Sequence, residues 1–117
     1  MRYELFVKLY EEALDYKDVD MYISERGWQS WMDEFGSDDD TSVIVFILKN
    51  IFDLAKSTLR EIRENKKMNR VNFSDRYKIP NRTVQNWEYG NSTLAEYDAL
   101  LIAYTFFMDA FLDFKSV

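Results

Sequence analysis

The sequence predicts an all-α protein. Only one proline and three glycines interrupt its 117 residues, so few positions force a helix to end. Apolar residues recur at the three- and four-residue spacing of amphipathic helices through most of the chain. The β-branched run at residues 43–45 has no second strand to pair with, which favours a helix there as well.

The first third of the chain predicts short helices separated by loops. Residues 3–16 carry apolar side chains on one helical face, and Asp18 or Asp20 is suited to cap a second helix, which runs toward a break at Gly27. Trp28 and Trp31 come next, on a further helical turn. We expect both to be core residues, since a ligand-stacking tryptophan pair is the less common alternative.

The remainder predicts two long helices on either side of a polar corner. "GSDDDTS", residues 36–42, is a loop in which Thr41 or Ser42 caps the next helix. Residues 42–67 are apolar nearly all round at first and amphipathic later, as in one helix that is buried and then surfaces. The last helix, residues 93–114, has Phe106, Phe107 and Phe114 beside one helical stripe, which comprises Leu94, Tyr97, Leu101, Tyr104, Met108 and Phe111.

The composition excludes most catalytic chemistry. The chain has no cysteine and no histidine, which leaves only carboxylates for acid-base work or metal binding. Residues 38–40 are three consecutive aspartates without the alternating spacing of a calcium loop. We expect no enzyme, no catalytic residue, no metal ligand and no cofactor. The N-terminus lacks an export signal, and no apolar run is long enough to span a bilayer, so a cytoplasmic protein is expected.

Charge is distributed unevenly along this acidic chain of formal net charge -6. Residues 1–55 hold 5 Lys/Arg against 13 Asp/Glu, a net of -8, and residues 83–117 hold 1 against 5, a net of -4. Residues 56–82 hold 9 against 3, a net of +6. A basic stretch of this kind is typical of a surface that meets an anionic partner.

The basic stretch runs into the corner "FSDRYKIPNRTVQNWEYG", residues 73–90. A helix that enters the major groove of DNA needs a second helix, joined to it by a short turn, to hold it at a steep angle. Apolar side chains at the required places on both helices and in the turn are Phe73, Tyr77, Ile79, Val84 and Trp87. Pro80 ends one helix or opens the next.

The motifs "LREIRENKK", "NRVNFSDRY" and "NRTVQNWEYG" lie within residues 59–104. This segment resembles the Cro/C1-type (XRE) helix-turn-helix of bacterial and phage regulators, in a degenerate subgroup common on mobile elements. The resemblance implies two sets of contacts: DNA bases at Asn81, Arg82, Gln85 and Asn86, and DNA phosphates at Arg70, Lys78, Asn91 and Ser92. It also implies that Thr83, Val84 and Trp87 are core residues.

Two residues depart from the family pattern. Ser74 stands where the family usually has alanine, and Lys78 stands where it usually has glycine. Serine is small enough for the helices to approach. Lysine in a turn that requires a positive φ costs on the order of 1 kcal/mol.

The expected protein is a sequence-specific, DNA-binding transcriptional regulator that binds an operator-like inverted repeat in double-stranded DNA as a homodimer. The alternative is an interaction or inhibitor protein, of anti-CRISPR or DNA-mimic type, whose acidic surface binds a nucleic-acid-binding protein. We expect one compact domain. It comprises an acidic helical N-terminal extension, residues 1–40, packed on a helix-turn-helix region with a long final aromatic helix, residues 41–117.

Overall fold

The computed structural model describes residues 1–116, and helices make up most of them. The α-helices are α1 (Tyr3–Leu14), α2 (Val19–Ser24), α3 (Ser42–Lys56), α4 (Leu59–Asn65), α5 (Arg70–Tyr77), α6 (Asn81–Glu88) and α7 (Glu96–Lys115). A 3-10 helix spans Ser30–Glu34 between α2 and α3. No strand occurs in residues 1–116, where a single β-bridge joins Ser37 and Asp40. The predicted all-α class is confirmed.

The internal contacts divide the chain into two units. The acidic unit comprises Met1–Lys56 and residues 103–116, and it holds 7 Lys/Arg against 15 Asp/Glu, a net of -8. The basic unit is Ser57–Ile102 and holds 8 against 6, a net of +2. The chain passes from one unit to the other after Lys56 and again after Ile102. The boundary expected between residues 40 and 41 coincides with neither of these two positions.

In the acidic unit, α1 and α2 pack against α3. The core is rich in aromatic side chains, including Phe6, Phe107 and Phe111, whose rings contact one another in series. Tyr22 is fully buried, and its hydroxyl donates a 2.7 Å hydrogen bond to the Leu9 carbonyl. Burial raises the pKa of the Tyr22 phenol well above its ordinary value, because the charged form would lose its hydration.

Side-chain caps begin several of the helices. Asp18 Oδ1 accepts a 2.9 Å hydrogen bond from the Asp20 backbone N–H, as one of the two predicted caps for α2. At the start of α3, the side chain that accepts hydrogen bonds is that of Asp40, whereas Thr41 or Ser42 was the predicted cap. Its Oδ1 accepts from both the hydroxyl and the backbone N–H of Ser42, and these bonds hold the pKa of Asp40 below its usual value.

The single helix expected over residues 42–67 is wrong. Helix α3 ends at Lys56, and α4 begins at Leu59 after a reciprocal cap between Thr58 and Glu61. The Thr58 backbone N–H donates to Glu61 Oε1, and the Glu61 backbone N–H donates to Thr58 Oγ1. This capping box satisfies two donors that a helix start leaves free, so it stabilises a new helix start over continuation.

The stripe on α7 is only partly buried, and the core assignment of Trp28 is wrong. In α7 the expected stripe residues Tyr97 and Leu101 are about two-thirds and one-half exposed, at 67% and 48%. The buried residues of this helix are Ile102, Ala103, Phe106, Phe107 and Phe111. Trp28 is 44% exposed, and its Nε1 donates to Asp33 Oδ1, whereas Trp31 is half-buried against the acidic unit's core. An amphipathic indole is stable at a surface when its N–H has a partner.

Candidate nucleic-acid interface

The corner formed by α5 and α6 is built by backbone geometry at three residues between them. Lys78 lies in the left-handed region, with φ of 56° and ψ of 39°, and its N–H donates to the Ser74 carbonyl. The Ile79 N–H donates to the same carbonyl at 3.1 Å. Lys78 therefore has the positive φ considered for this turn position, in a region that favours glycine.

The two helices of the corner pack through a small apolar core. Phe73 and Val84 are fully buried, and Ser74 is 6% exposed, so its small side chain does permit close approach. Ile79 and Trp87 are half-buried. Pro80 immediately precedes α6, and its carbonyl accepts from the backbone N–H groups of Thr83 and Val84. The direction of α6 is thus fixed by packing on one side and by the turn at its start.

The side chains expected to meet bases lie on the first two turns of α6. Asn81 and Arg82 are exposed, and Gln85 and Asn86 are half-buried. Asn81 Oδ1 lies 3.5 Å from Ser74 Oγ, at the limit of a hydrogen bond. Among residues 1–116, the side chains of Arg82 and Gln85 have no hydrogen bond or ion pair. Their donors are available to a ligand.

The residues expected to contact phosphates differ in how far they are already engaged. Lys78 is exposed on the turn, and Asn91 and Ser92 are exposed after the end of α6, where their backbone N–H groups donate to the Asn86 carbonyl. Arg70 is half-buried, with Nη2 donating to the Tyr89 hydroxyl at 3.2 Å and the guanidinium 5.2 Å from the Tyr89 ring centroid. Arg70 is therefore already held by the protein.

Sequence reasoning missed a buried ion pair beneath this surface. Arg63 of α4 donates from Nε and Nη2 to the two carboxylate oxygens of Glu88, each at 2.9 Å, and from Nη1 to the Met68 carbonyl at 3.0 Å. The exposed fractions of the Arg63 and Glu88 side chains are 9% and 1%. Arg70 Nε lies 3.5 Å from Glu88 Oε1. Glu88 thereby ties the end of α6 to α4 and α5.

Neither a metal-binding cluster nor a membrane-spanning helix is found among residues 1–116. Within the described residues, no group of three Asp or Glu side chains is placed to hold a metal ion. No helix in that part of the chain is long and apolar enough to cross a membrane.

No protein-family model matches this chain, and neither a curated protein nor a solved structure is detectably similar to it.

Proposed function

We propose that the basic unit binds double-stranded DNA sequence-specifically, with the first two turns of α6 in the major groove. The observation that carries the proposal is that exposed Arg82 and half-buried Gln85, on the first two turns of α6, have no hydrogen-bond or ion-pair partner among residues 1–116. Guanidinium and amide groups can make bidentate contacts with guanine and adenine, respectively. Asn81 and Asn86 extend the same set of planar side chains.

The rigidity of the corner supports this proposal. Base contacts discriminate only when the side chains are held in register with the base edges. Two sets of contacts hold α6 within the basic unit. Helix α5, which carries Phe73, packs against α6, and Arg63 of α4 pairs with Glu88 at the end of α6. Lys78, Asn91, Ser92 and part of Arg70 would then meet phosphates at either end of α6, which positions the helix without reading sequence.

The biological setting that we propose rests only on the resemblance to Cro/C1-type regulators. A Cro/C1-type (XRE) regulator of a phage or mobile element would act in the cytoplasm by occupying an operator. Such regulators bind inverted repeats as homodimers. Exposed apolar side chains on α7, notably Leu101 at 48% and Leu112 at 58% exposure, are available to a second copy.

The test begins with selection of binding sites from a randomised duplex library by the full-length protein. Affinity for the selected site and for an unrelated duplex is then measured at low and at moderate salt. Arg82→Ala and Gln85→Ala should each cost about 1–3 kcal/mol of affinity for the selected site and far less for the unrelated duplex.

The matched control is Arg60→Ala, which removes one positive charge from the 60%-exposed Arg60 side chain on α4. If it has any effect, Arg60→Ala should lower the affinity for both duplexes about equally. Failure to select any site at low salt, or full affinity in both α6 variants, would remove the proposal.

A second candidate function belongs to the acidic unit. Its net charge over residues 1–56 and 103–116 is -8, so the unit is negatively charged, as a nucleic acid is. We propose as the alternative that this unit binds the basic surface of a nucleic-acid-binding protein, as an inhibitor of DNA-mimic or anti-CRISPR type would. Displacement of DNA from such a protein by the intact chain would test it.

A further inference from the structure

Tyr89 at the end of α6 contacts one of the residues proposed to meet a DNA phosphate. It is the C-cap of α6 and is 56% exposed. Its hydroxyl accepts a 3.2 Å hydrogen bond from Arg70 Nη2, and its ring centroid lies 5.2 Å from the guanidinium carbon of Arg70. The ring and the hydroxyl of Tyr89 therefore both engage the same guanidinium group.

Glu88 attracts the inner nitrogen of this guanidinium but gives it no hydrogen bond. Arg70 Nε is buried, and it lies 3.5 Å from Glu88 Oε1 without the geometry of a hydrogen bond. The two oxygens of Glu88 already accept from Arg63. Among residues 1–116, the Tyr89 hydroxyl is thus the one hydrogen-bond partner of the Arg70 side chain.

The third nitrogen of the guanidinium, Arg70 Nη1, is available to a ligand. It has no hydrogen bond among residues 1–116 and, unlike Nε, it is not buried. The N–H groups of a guanidinium lie in one plane in a fixed geometry, so holding one part of the group sets the direction of the rest. The contact with Tyr89 therefore sets the direction in which Nη1 donates.

We propose that Tyr89 is a positioning residue for DNA binding, which holds the Arg70 guanidinium so that Nη1 donates to a backbone phosphate. The inference rests on the proposed DNA binding by the basic unit. A free arginine side chain loses rotamer freedom when it is immobilised against a ligand, and a side chain that is already held loses less. Because phosphate contacts carry no sequence information, Tyr89 should raise affinity for every duplex alike.

A double-mutant cycle tests this role, with affinity for the selected site and for the unrelated duplex measured at several salt concentrations. Arg70→Gln should lower both affinities and reduce the slope of log affinity against log salt by about one. Tyr89→Leu should weaken both duplexes about fivefold, because it removes the hydrogen bond and the stacking. Tyr89→Phe keeps the ring and should weaken them only about twofold.

The decisive variant combines the two substitutions. In the Arg70→Gln background, Tyr89→Leu should change affinity by less than about twofold, because no guanidinium remains to be held. If Arg70→Gln does not fold, Arg70→Lys takes its place, since lysine lacks the planar group that Tyr89 holds. The matched control is Tyr97→Leu, at the 67%-exposed Tyr97 of the same unit, which should leave both affinities unchanged.

Three results in DNA binding would overturn the inference while the proposed function stands. One is equal weakening by Tyr89→Leu in both backgrounds, which would mean that Tyr89 acts through the fold or on DNA itself. Another is unchanged affinity in Tyr89→Leu. The third is an unchanged salt slope in Arg70→Gln, which would mean that Arg70 does not meet a phosphate.

The guanidinium resonances of Arg70 test the contact without DNA. In the isotope-labelled full chain, the ring of Tyr89 should shift these signals, Tyr89→Phe should retain the shift, and Tyr89→Leu should abolish it. The same signals in all three proteins would overturn the inference, whatever the chain binds. If the shift is present but the native chain binds no duplex at low salt, the proposed function and this role of Tyr89 are both wrong.

Discussion

Different kinds of side chain are buried in the two units of this chain. The acidic unit buries a connected set of aromatic rings, with Phe6, Phe107 and Phe111 at its centre. The basic unit is smaller, and beside the buried Phe73 and Val84 it contains the buried pair Arg63–Glu88. A small domain has less apolar surface to bury, so specific polar contacts carry more of its structure.

The difference also bears on what each surface can bind. The acidic unit holds 15 carboxylate side chains against 7 basic ones, so its own cations cannot neutralise most of its negative charge, although Glu12 pairs with Arg26. In the basic unit, Glu88 engages two arginines and Glu64 engages Arg60. Internal pairing thus removes some basic charge from the second surface, while Lys78 and Arg82 stay exposed at the corner.

The largest effect should follow from removing Glu88. Glu88→Ala leaves the buried Arg63 without its bidentate partner, which should destabilise the basic unit by about 3–5 kcal/mol. Amide hydrogen exchange, read residue by residue, should show the loss in residues 57–102. Glu64→Ala removes the partner of exposed Arg60 and should cost at most about 1 kcal/mol. Equal costs for the two variants would contradict the contrast.

Alkaline pH should affect the acidic unit first. The folded-state pKa of Tyr22 lies above its unfolded value, so its contribution is complete below about pH 10 and is lost as pH rises toward the folded value. The loss should approach about 1.4 kcal/mol for each pH unit above about 10. Urea unfolding across this alkaline range, with neutral pH as the reference, measures it.

The matched control for the alkaline prediction is a pair of Tyr→Phe variants. Tyr22→Phe should remove this share of the pH dependence, whereas Tyr97→Phe, at the 67%-exposed Tyr97, should retain it. An unchanged alkaline slope in Tyr22→Phe would contradict the assignment.

Backbone strain should give effects of opposite sign in the two units. Lys78 in the basic unit has φ of 56°, and Gly27 in the acidic unit has φ of 63° with open space around its Cβ position. Lys78→Gly should stabilise its unit by about 1 kcal/mol, and Gly27→Ala should destabilise its unit by about the same amount. Thermal unfolding of both variants measures the difference, and the same sign in both would be inconsistent with this explanation.

The smallest effects should appear in acid. The Ser42 hydroxyl and then its backbone N–H lower the pKa of Asp40, and the Thr58 backbone N–H and then its hydroxyl lower the pKa of Glu61. Each carboxylate therefore contributes stability above its unfolded pKa of about 4, which is lost as pH falls through the folded value. Asp40→Asn should flatten the acid slope of the acidic unit, and Glu61→Gln should flatten that of the basic unit, when unfolding is measured in urea at decreasing pH.

Local features of the fold were predictable because they depend on residues close in sequence. The cap at Asp18, the break at Gly27 and the positive φ at Lys78 each depend on one residue and its immediate neighbours. The break between α3 and α4 also has a local signal, the Thr58–Glu61 capping box, which the long apolar pattern of residues 42–67 obscured.

Other features depend on contacts between distant residues and have no local signal. Arg63 and Glu88 are 25 residues apart, and either could equally be a solvated charge on a helix surface. In α7, apolar residues occupy more than one face, so spacing alone does not determine whether Leu101 or Ile102 is buried. For the candidate interface, the exposure of Arg82 was predictable from helical spacing, whereas the partial burial of Gln85 and the engagement of Arg70 by Glu88 and Tyr89 were not.

The order of the units along the chain has a consequence for how the protein is made. The acidic unit is discontinuous, because its core joins Phe6 and Leu9 near the N-terminus to Phe107 and Phe111 near the other end. Residues 57–102 form a continuous unit that leaves the ribosome before those two phenylalanines do. Domains fold as units during synthesis, so α1, although synthesised earliest, completes its packing only after Phe107 and Phe111 have emerged, whereas the basic unit needs no residue beyond 102.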